Sequence, residues 1–105
     1  VTGAPPVMLA VLADDTRWRI LTELGSADMS ASALAARLPV SRQAIAKHLS
    51  VLSDAGLVEA IPAGREIRYR AHGAKLSALG AELTAIGQQW DRRLMAIKRI
   101  AEGLS

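Results

Sequence analysis

Pro39 restricts this chain more than any other residue. It follows Leu34, Ala35 and Leu38, apolar residues at helical spacing, and a proline that offers no amide and fixes φ ends such a helix at once. Two residues later Ser41 opens a second helical pattern, with Ile45, Leu49 and Leu52 at i, i+4 and i+7, that runs out near Gly56. Ser30 stands in the capping position of the first segment. The spacing therefore predicts two short helices within 31–53, joined by a turn of about three residues, with Leu34, Ala35, Leu38, Val40, Ile45 and Leu49 facing inward. Ala35 is small where the two helices must cross closely.

The flanks read as more helix and one hairpin. Val7, Met8, Val11 and Leu12 recur at helical spacing behind Pro5 and Pro6, which predicts a short helix over 6–12. Asp14 and Asp15 supply a cap and an acidic first turn for a helix over 15–24, ended by Gly25. Its inner face is either Trp18, Leu21 and Leu24 or Arg17, Ile20 and Leu24. After Gly56 the period changes to two: Leu57–Ile61 reads as a strand, 62–65 as a turn, and Glu66–Arg70 as a second strand that alternates charged and apolar residues. Together these make a wing over 57–71.

From Gly73 onward the helical rhythm returns over 74–103, carried by Leu76, Leu79, Leu83, Ile86, Trp90, Leu94, Ile97 and Ala101. Such a helix is about 45 Å long. A body of about 70 residues is only about 25–30 Å across, so part of the stripe needs a second chain to cover it. A homodimer is expected, with Leu79, Leu83, Ile86, Trp90, Leu94 and Ile97 at the interface. Gly80 and Gly87 each weaken the helix by about 1 kcal/mol relative to Ala, so a break at either is the competing reading. The expected fold is mainly α with a β-hairpin wing, in the order α-α-α-α-β-β-α. It forms one winged helix-turn-helix domain over 5–105.

Composition narrows the function. The chain has 105 residues and no cysteine, which excludes disulfides, thiol catalysis and Cys-rich zinc sites, and suggests a reducing, cytoplasmic setting. No apolar run is long enough to cross a bilayer, so no membrane partner is expected. Paired catalytic carboxylates, a Gly-rich phosphate loop and a Ser/His/Asp set are absent in plausible context, so the reading is not of an enzyme, and no cofactor is expected. The net charge of +3 is concentrated: residues 37–70 hold six Lys and Arg against three Asp and Glu, and the remainder balances at seven against seven. A polyanion is the partner such a segment suits. With no Phe, one Tyr and two Trp the chain has few rings on which to stack single-stranded bases, so duplex DNA is the better candidate.

A helix-turn-helix followed by a basic hairpin places its second helix in a major groove and its wing against the backbone. Ser41, Arg42, Gln43, Ala46, Lys47 and Ser50 form the outer face of that helix. Arg42 or Lys47 suits guanine, Gln43 suits adenine on two atoms, and Ala46 suits a thymine methyl. Ser41 more readily caps the helix, with a phosphate contact as its second role. Arg65 at the hairpin tip reaches toward a minor groove, and Arg68 and Arg70 meet phosphates. Glu66 shares their face and ties up one of the arginines, which ranks Arg65 and Arg68 above Arg70.

The segments LADDTRWRILTEL, LAARLPVSRQAIAKHLSVLSDAGLV and AGREIRYRA resemble the ArsR/SmtB family of bacterial winged-helix repressors, over about residues 6–103. The resemblance implies a dimer joined through the first and last helices, which adds Met8 and Leu12 to the interface, and an imperfect palindromic operator. Pro39 departs from the pattern at a turn position where many helix-turn-helix proteins have Gly. Metal-sensing relatives use Cys before the turn or Asp and His on the last helix; this chain has no such Cys, and its last helix offers only Glu82, Asp91 and Glu102. No metal is expected at the family's usual sites. Trp90, Arg93 and Leu94 are similar to a branch described simply as transcriptional regulators, with no settled inducer.

Control is left to an unknown small molecule, a partner protein or abundance. Trp18 and Trp90 are read as core filler in preference to an effector pocket. His48 is read as a packed or phosphate-bonding residue, and a metal site shared with His72 is the weaker alternative. The other reading of the whole is a winged-helix module for protein–protein interaction. An adaptor would carry apolar residues on the outer face of the second helix, where this chain has Arg42, Gln43 and Lys47.

Overall fold

The computed structural model describes residues 5–103; the last two residues of the expected domain lie outside them. The elements are α1 (Pro5–Leu12), α2 (Asp15–Leu24), β1 (Met29–Ser30), α3 (Ala31–Arg37), α4 (Arg42–Asp54), β2 (Val58–Ala63), β3 (Glu66–Ala71) and α5 (Gly73–Gly103). The chain divides into two compact units between Lys75 and Leu76. Four helices, a hairpin and a long last helix stand as the sequence predicts; β1 was not expected.

Three capping side chains set the helix starts. Asp14 Oδ1 accepts the Arg17 amide at 3.0 Å, Ser30 Oγ that of Ala33 at 3.1 Å, and Ser41 Oγ that of Ala44 at 3.2 Å. Each satisfies one amide that the first helical turn leaves without a partner. Leu38 is extended, with φ −118° and ψ 146°, as steric clash with a following proline requires. The Val40 amide donates to the Leu38 carbonyl at 2.8 Å, a tight turn centred on Pro39. Among the described residues no non-glycine has positive φ, so the turn needs no left-handed residue and tolerates Pro39.

Helix α4 ends differently. Gly56 has φ +75°, its amide donates to the Ser53 carbonyl at 2.9 Å, and the Leu57 amide donates to that of Leu52 at 2.9 Å. This pair of bonds is the Schellman arrangement, and the apolar residues that flank it, Leu52 and Leu57, are both fully buried. The helix stop thus delivers the chain into β2 with its first side chains already in the core.

The first unit packs around Ile20, Leu34, Ile45, Leu49, Leu52 and Leu57, which are the largest fully buried side chains. They come from α2, α3, α4 and the entry to β2, at the positions that the periodicity marks. On α2 the second of the two alternative faces is the inner one: Ile20 and Leu24 are buried and Trp18 is 59% exposed. Leu38, Val40 and Ala35 are half-buried at the edge of this core.

The sheet order is β1-β3-β2, antiparallel throughout, with Val58 opposite Ala71 and Ala63 opposite Glu66. The turn is therefore two residues, Gly64 and Arg65, and not the four expected at 62–65. Gly64 has φ +65° and Arg65 does not share it, which fits a type II′ hairpin. Pro62 belongs to β2, opposite Ile67. Pairing next to a two-residue turn alternates, so the Pro62 position directs its nitrogen away from β3, on an edge strand where no donor is needed. β1 is two residues long, with Met29 opposite Tyr69 and Ser30 opposite Arg68. Ser30 thus ends a strand and caps α3 at once.

Helix α5 is unbroken from Gly73 to Gly103 and passes through Gly80 and Gly87, so the break weighed at either glycine does not occur. A Cβ at either position would meet nothing within 4 Å.

Candidate nucleic-acid interface

The first turns of α4 carry the outer face. Ser41, Arg42, Gln43, Ala46, Lys47 and Ser50 are all exposed, while Ile45, Leu49 and Leu52 on the other side of the helix are buried. The 3.6-residue period forces this division: the residues that anchor α4 in the core leave the polar ones outside. The Ser41 hydroxyl is committed to its cap.

Salt bridges sort the cations of the first unit. Arg19 pairs with Asp15 at 3.0 Å, Arg37 pairs with Glu23, and Arg68 with Glu66 at 2.8 Å. Arg70 makes a forked contact with Asp28, Nη2 to Oδ2 at 2.8 Å and Nε to both oxygens at 3.2 Å. The guanidinium hydrogen bond to Asp28 holds that carboxyl below the usual carboxylate range. Two wing arginines are thus already paired, where one was expected. Asp28 lies 42 residues from Arg70, and only β1, which brings the segment before α3 against β3, makes the contact possible. Among the described residues of this unit, Arg42, Lys47, Arg65 and Lys75 have no ion pair. Lys75 apart, these lie on the outer face of α4 and at the tip of the wing.

Between α4 and the wing lies a cleft of about 400 Å³ whose lining includes Arg42, Ala46, Arg65, Glu66, Ser32 and Tyr69. It brings together three of the expected contact residues, Arg42, Ala46 and Arg65. Gln43, Lys47, Ser50, Arg68 and Arg70 do not line it. Ser32 and Tyr69 were missed by the sequence reading; no local pattern marks a serine inside the first turn of α3 as part of a surface built with the wing.

His48 does not line this cleft. Arg17 Nη1 lies 3.4 Å from His48 Nδ1, and Arg17 Nε donates to the Val11 carbonyl at 2.6 Å. A guanidinium has no acceptor, so the histidine nitrogen accepts there. Asp14 Oδ1 is 3.9 Å from the same nitrogen, and its carboxyl is held below its ordinary value first by the Arg17 amide that it caps. The cluster ties the end of α1 and the start of α2 to the inner flank of α4. His72 Nδ1 accepts the Lys75 amide at 3.3 Å. Among the described residues no three His, Cys, Asp or Glu stand close enough together to hold a metal.

The residues expected at a chain–chain interface divide in two. Met8 and Leu79 are buried within the chain, and Leu12 is half-buried. Leu83, Ile86, Trp90, Leu94 and Ile97 are 46–57% exposed along one side of α5. Trp90 is therefore not core filler, nor is Trp18. Trp18 lies off the face that Ile20 and Leu24 bury, whereas Trp90 lies on the same stripe of α5 as the buried Leu79 and is exposed all the same. Arg93 lies over the Trp90 ring, 5.2 Å from its centroid. No helix among the described residues is long and apolar enough to cross a membrane.

Comparison with known proteins agrees with this architecture. Residues 12–61 match a helix-turn-helix domain family. The chain is 36% identical over 91 residues to the HTH-type transcriptional regulator Rv2034 of Mycobacterium tuberculosis, covering 87% of this chain and 82% of that protein. It is 39% identical over 75 residues to the HTH-type transcriptional regulator CmtR of Mycobacterium bovis, across 71% of this chain and 64% of that one. Among solved structures, an ArsR-like transcriptional regulator from Rhodococcus sp. RHA1 superposes with a TM-score of 0.80 at 63% identity, covering 92% of both chains.

Proposed function

The chain belongs to the ArsR family of winged helix-turn-helix, DNA-binding transcriptional regulators, and we propose that it acts as a homodimeric repressor bound to a duplex operator. Two copies of α4 enter successive major grooves, about 34 Å apart or a multiple of it, on an imperfect palindrome. Occupancy of a promoter, its own or a neighbour's, excludes polymerase. The observation that carries this reading is the free outer face of α4, with Arg42 and Lys47 unpaired in a unit whose other cations are mostly neutralised.

Gln43, Lys47 and Ser50 are the base-reading group, bordered by Ala46, which also lines the cleft. Gln43 offers a bidentate match to adenine, and each such contact discriminates by about 1–3 kcal/mol. Arg65 holds the backbone, and Arg68 and Arg70 join it only where a phosphate displaces their partners Glu66 and Asp28. Joined through α5, two chains neutralise about eight phosphates, so log affinity falls against log salt with a slope near −7. The dimer forms through Leu83, Ile86, Trp90, Leu94 and Ile97, whose exposed stripe a second copy covers; Met8, Leu12 and Leu79 support it from within the chain. The protein works in the cytoplasm without a cofactor, does not respond to metal at the family's usual sites, and is released by an effector of small-molecule or protein nature or not at all. The exposed face of α4 is polar and cationic, which disfavours a module for protein–protein interaction.

Footprinting on the DNA upstream of its own gene, with and without transition metals, tests specificity, symmetry and metal response together. Gln43→Ala is expected to change base preference, and Arg65→Ala to weaken binding to all duplexes alike. Equal loss of affinity on every duplex from both variants, or a salt slope near zero, overturns the assignment.

A further inference from the structure

We propose that the cleft between α4 and the wing receives the sugar–phosphate backbone of one DNA strand, so that Arg42 acts with Arg65 as a phosphate clamp and does not read a base. The proposal rests on the duplex-binding reading above and assigns Ser32 and Tyr69 to the interface.

The arrangement of charge carries it. Arg42 comes from the first position of α4 and Arg65 from the wing turn, yet both line one concavity of about 400 Å³. In the same unit Arg19, Arg37, Arg68 and Arg70 are each taken by a carboxylate, and Arg17 is held by Val11 and Asp14. Among the described arginines of this unit, the two of the cleft are the ones left without an internal hydrogen bond or ion pair. Glu66 is the acidic residue in the lining, and its Oε1 accepts from Arg68 Nε at 2.8 Å. What remains is a recess lined by two arginines that no carboxylate compensates, with Ser32 and Tyr69 beside them.

A guanine edge presents two acceptors but no net charge, and one arginine satisfies it. Two converging cations fit an anion with several acceptor oxygens and no donors, which is the phosphodiester. Gln43, Lys47 and Ser50 lie outside the cleft and stay free for the bases. The helix therefore divides its labour along its length: its first residue grips the strand and the next turns read.

The test uses a duplex that the wild-type protein selects from a randomised pool, with affinity measured across a salt series. Arg42 and Arg65 are exposed and make no side-chain hydrogen bond or ion pair among the described residues, so Arg42→Gln and Arg65→Gln are expected to fold as the wild type, which circular dichroism checks. Each is expected to flatten the slope of log affinity against log salt by about 0.9 for every chain bound, and a repeated selection with Arg42→Gln returns the same bases. Methylphosphonate substitution, one phosphate at a time, identifies positions that weaken wild-type binding; those positions lose their effect on Arg42→Gln. Ser32→Ala and Tyr69→Phe each remove a neutral donor, and are expected to weaken binding several-fold with the slope unchanged.

A changed base preference in Arg42→Gln with an unaltered salt slope overturns the clamp and leaves duplex binding standing. Inorganic phosphate that displaces DNA from the wild type at matched ionic strength, but not from Arg42→Gln, overturns it in favour of a free-anion site. A wild-type protein that selects no duplex removes the reading on which the clamp depends.

Discussion

Leu94→Asp is the sharpest test of the proposed homodimer. Leu94 is 57% exposed, and Leu83, Ile86, Trp90 and Ile97 on the same side of α5 are about equally so. Full burial of a leucine side chain contributes about 1.5–3 kcal/mol, so covering the exposed half contributes about 1 kcal/mol. A two-fold interface counts each position twice. Leu94→Ala then costs about 2 kcal/mol per dimer, a roughly 30-fold rise in the dissociation constant at 1.4 kcal/mol per tenfold. The aspartate adds two carboxylates that must be desolvated, at several kcal/mol, so the constant rises about a thousandfold or more. Sedimentation equilibrium over a concentration series measures both. Gln88→Asp, on the opposite side of the helix, is the control and is expected to change nothing. An unchanged dimer in Leu94→Asp, or equal effects from both aspartates, refutes the placement of the interface; a wild-type monomer refutes the argument from exposed apolar surface altogether.

Three further outcomes follow from local geometry. Gly56→Ala forces a Cβ onto a residue at φ +75° and toward Lys75, and is expected to lower stability by about 1–2 kcal/mol in urea unfolding; an unchanged midpoint would mean that the helix stop is not strained. Asp28 has its carboxyl depressed by Arg70, so its contribution to stability is present above the ordinary aspartate value near 3.8 and is lost as pH falls through the lower folded value. Acid titration of Asp28→Asn should show a shallower loss in that window than the wild type, and identical curves would contradict the pairing. Glu66→Gln removes the acidic member of the cleft and releases Arg68, so DNA affinity is expected to rise and the salt slope to steepen by up to about 0.9 per chain, with little effect on stability because the pair is exposed; weaker binding would count against a phosphate in that cleft.

Local chemistry made most of the fold legible. Asp14, Ser30 and Ser41 cap because their oxygens reach amides three residues away, and Pro39 stops α3 through its own ring; neither effect needs the rest of the chain. The outer face of α4 follows from the same periodicity that buries Ile45, Leu49 and Leu52. What escaped was set by distant partners. A two-residue strand has no period, so β1 is silent until β3 is placed beside it, and with it the Asp28–Arg70 pair. Pro62 read as a turn residue because a proline is admissible in a strand only on a free edge, and edges are defined by neighbours. Trp18 fell on the one of two alternative faces of α2 that is not buried, and Trp90 keeps its place on the apolar stripe of α5 while 53% exposed, so periodicity placed its face and could not say whether this chain covers it.

Ser30 closes the ladder beside Arg68 and caps α3 with the same residue. The wing is therefore not a loose flap: its central strand is bolted, through one side chain and one short ladder, to the helix that precedes the reading helix. Its root is consequently a brace and not a hinge, and under the proposed clamp any adjustment to an incoming strand falls to the exposed side chains of Arg42 and Arg65 and not to the sheet behind them.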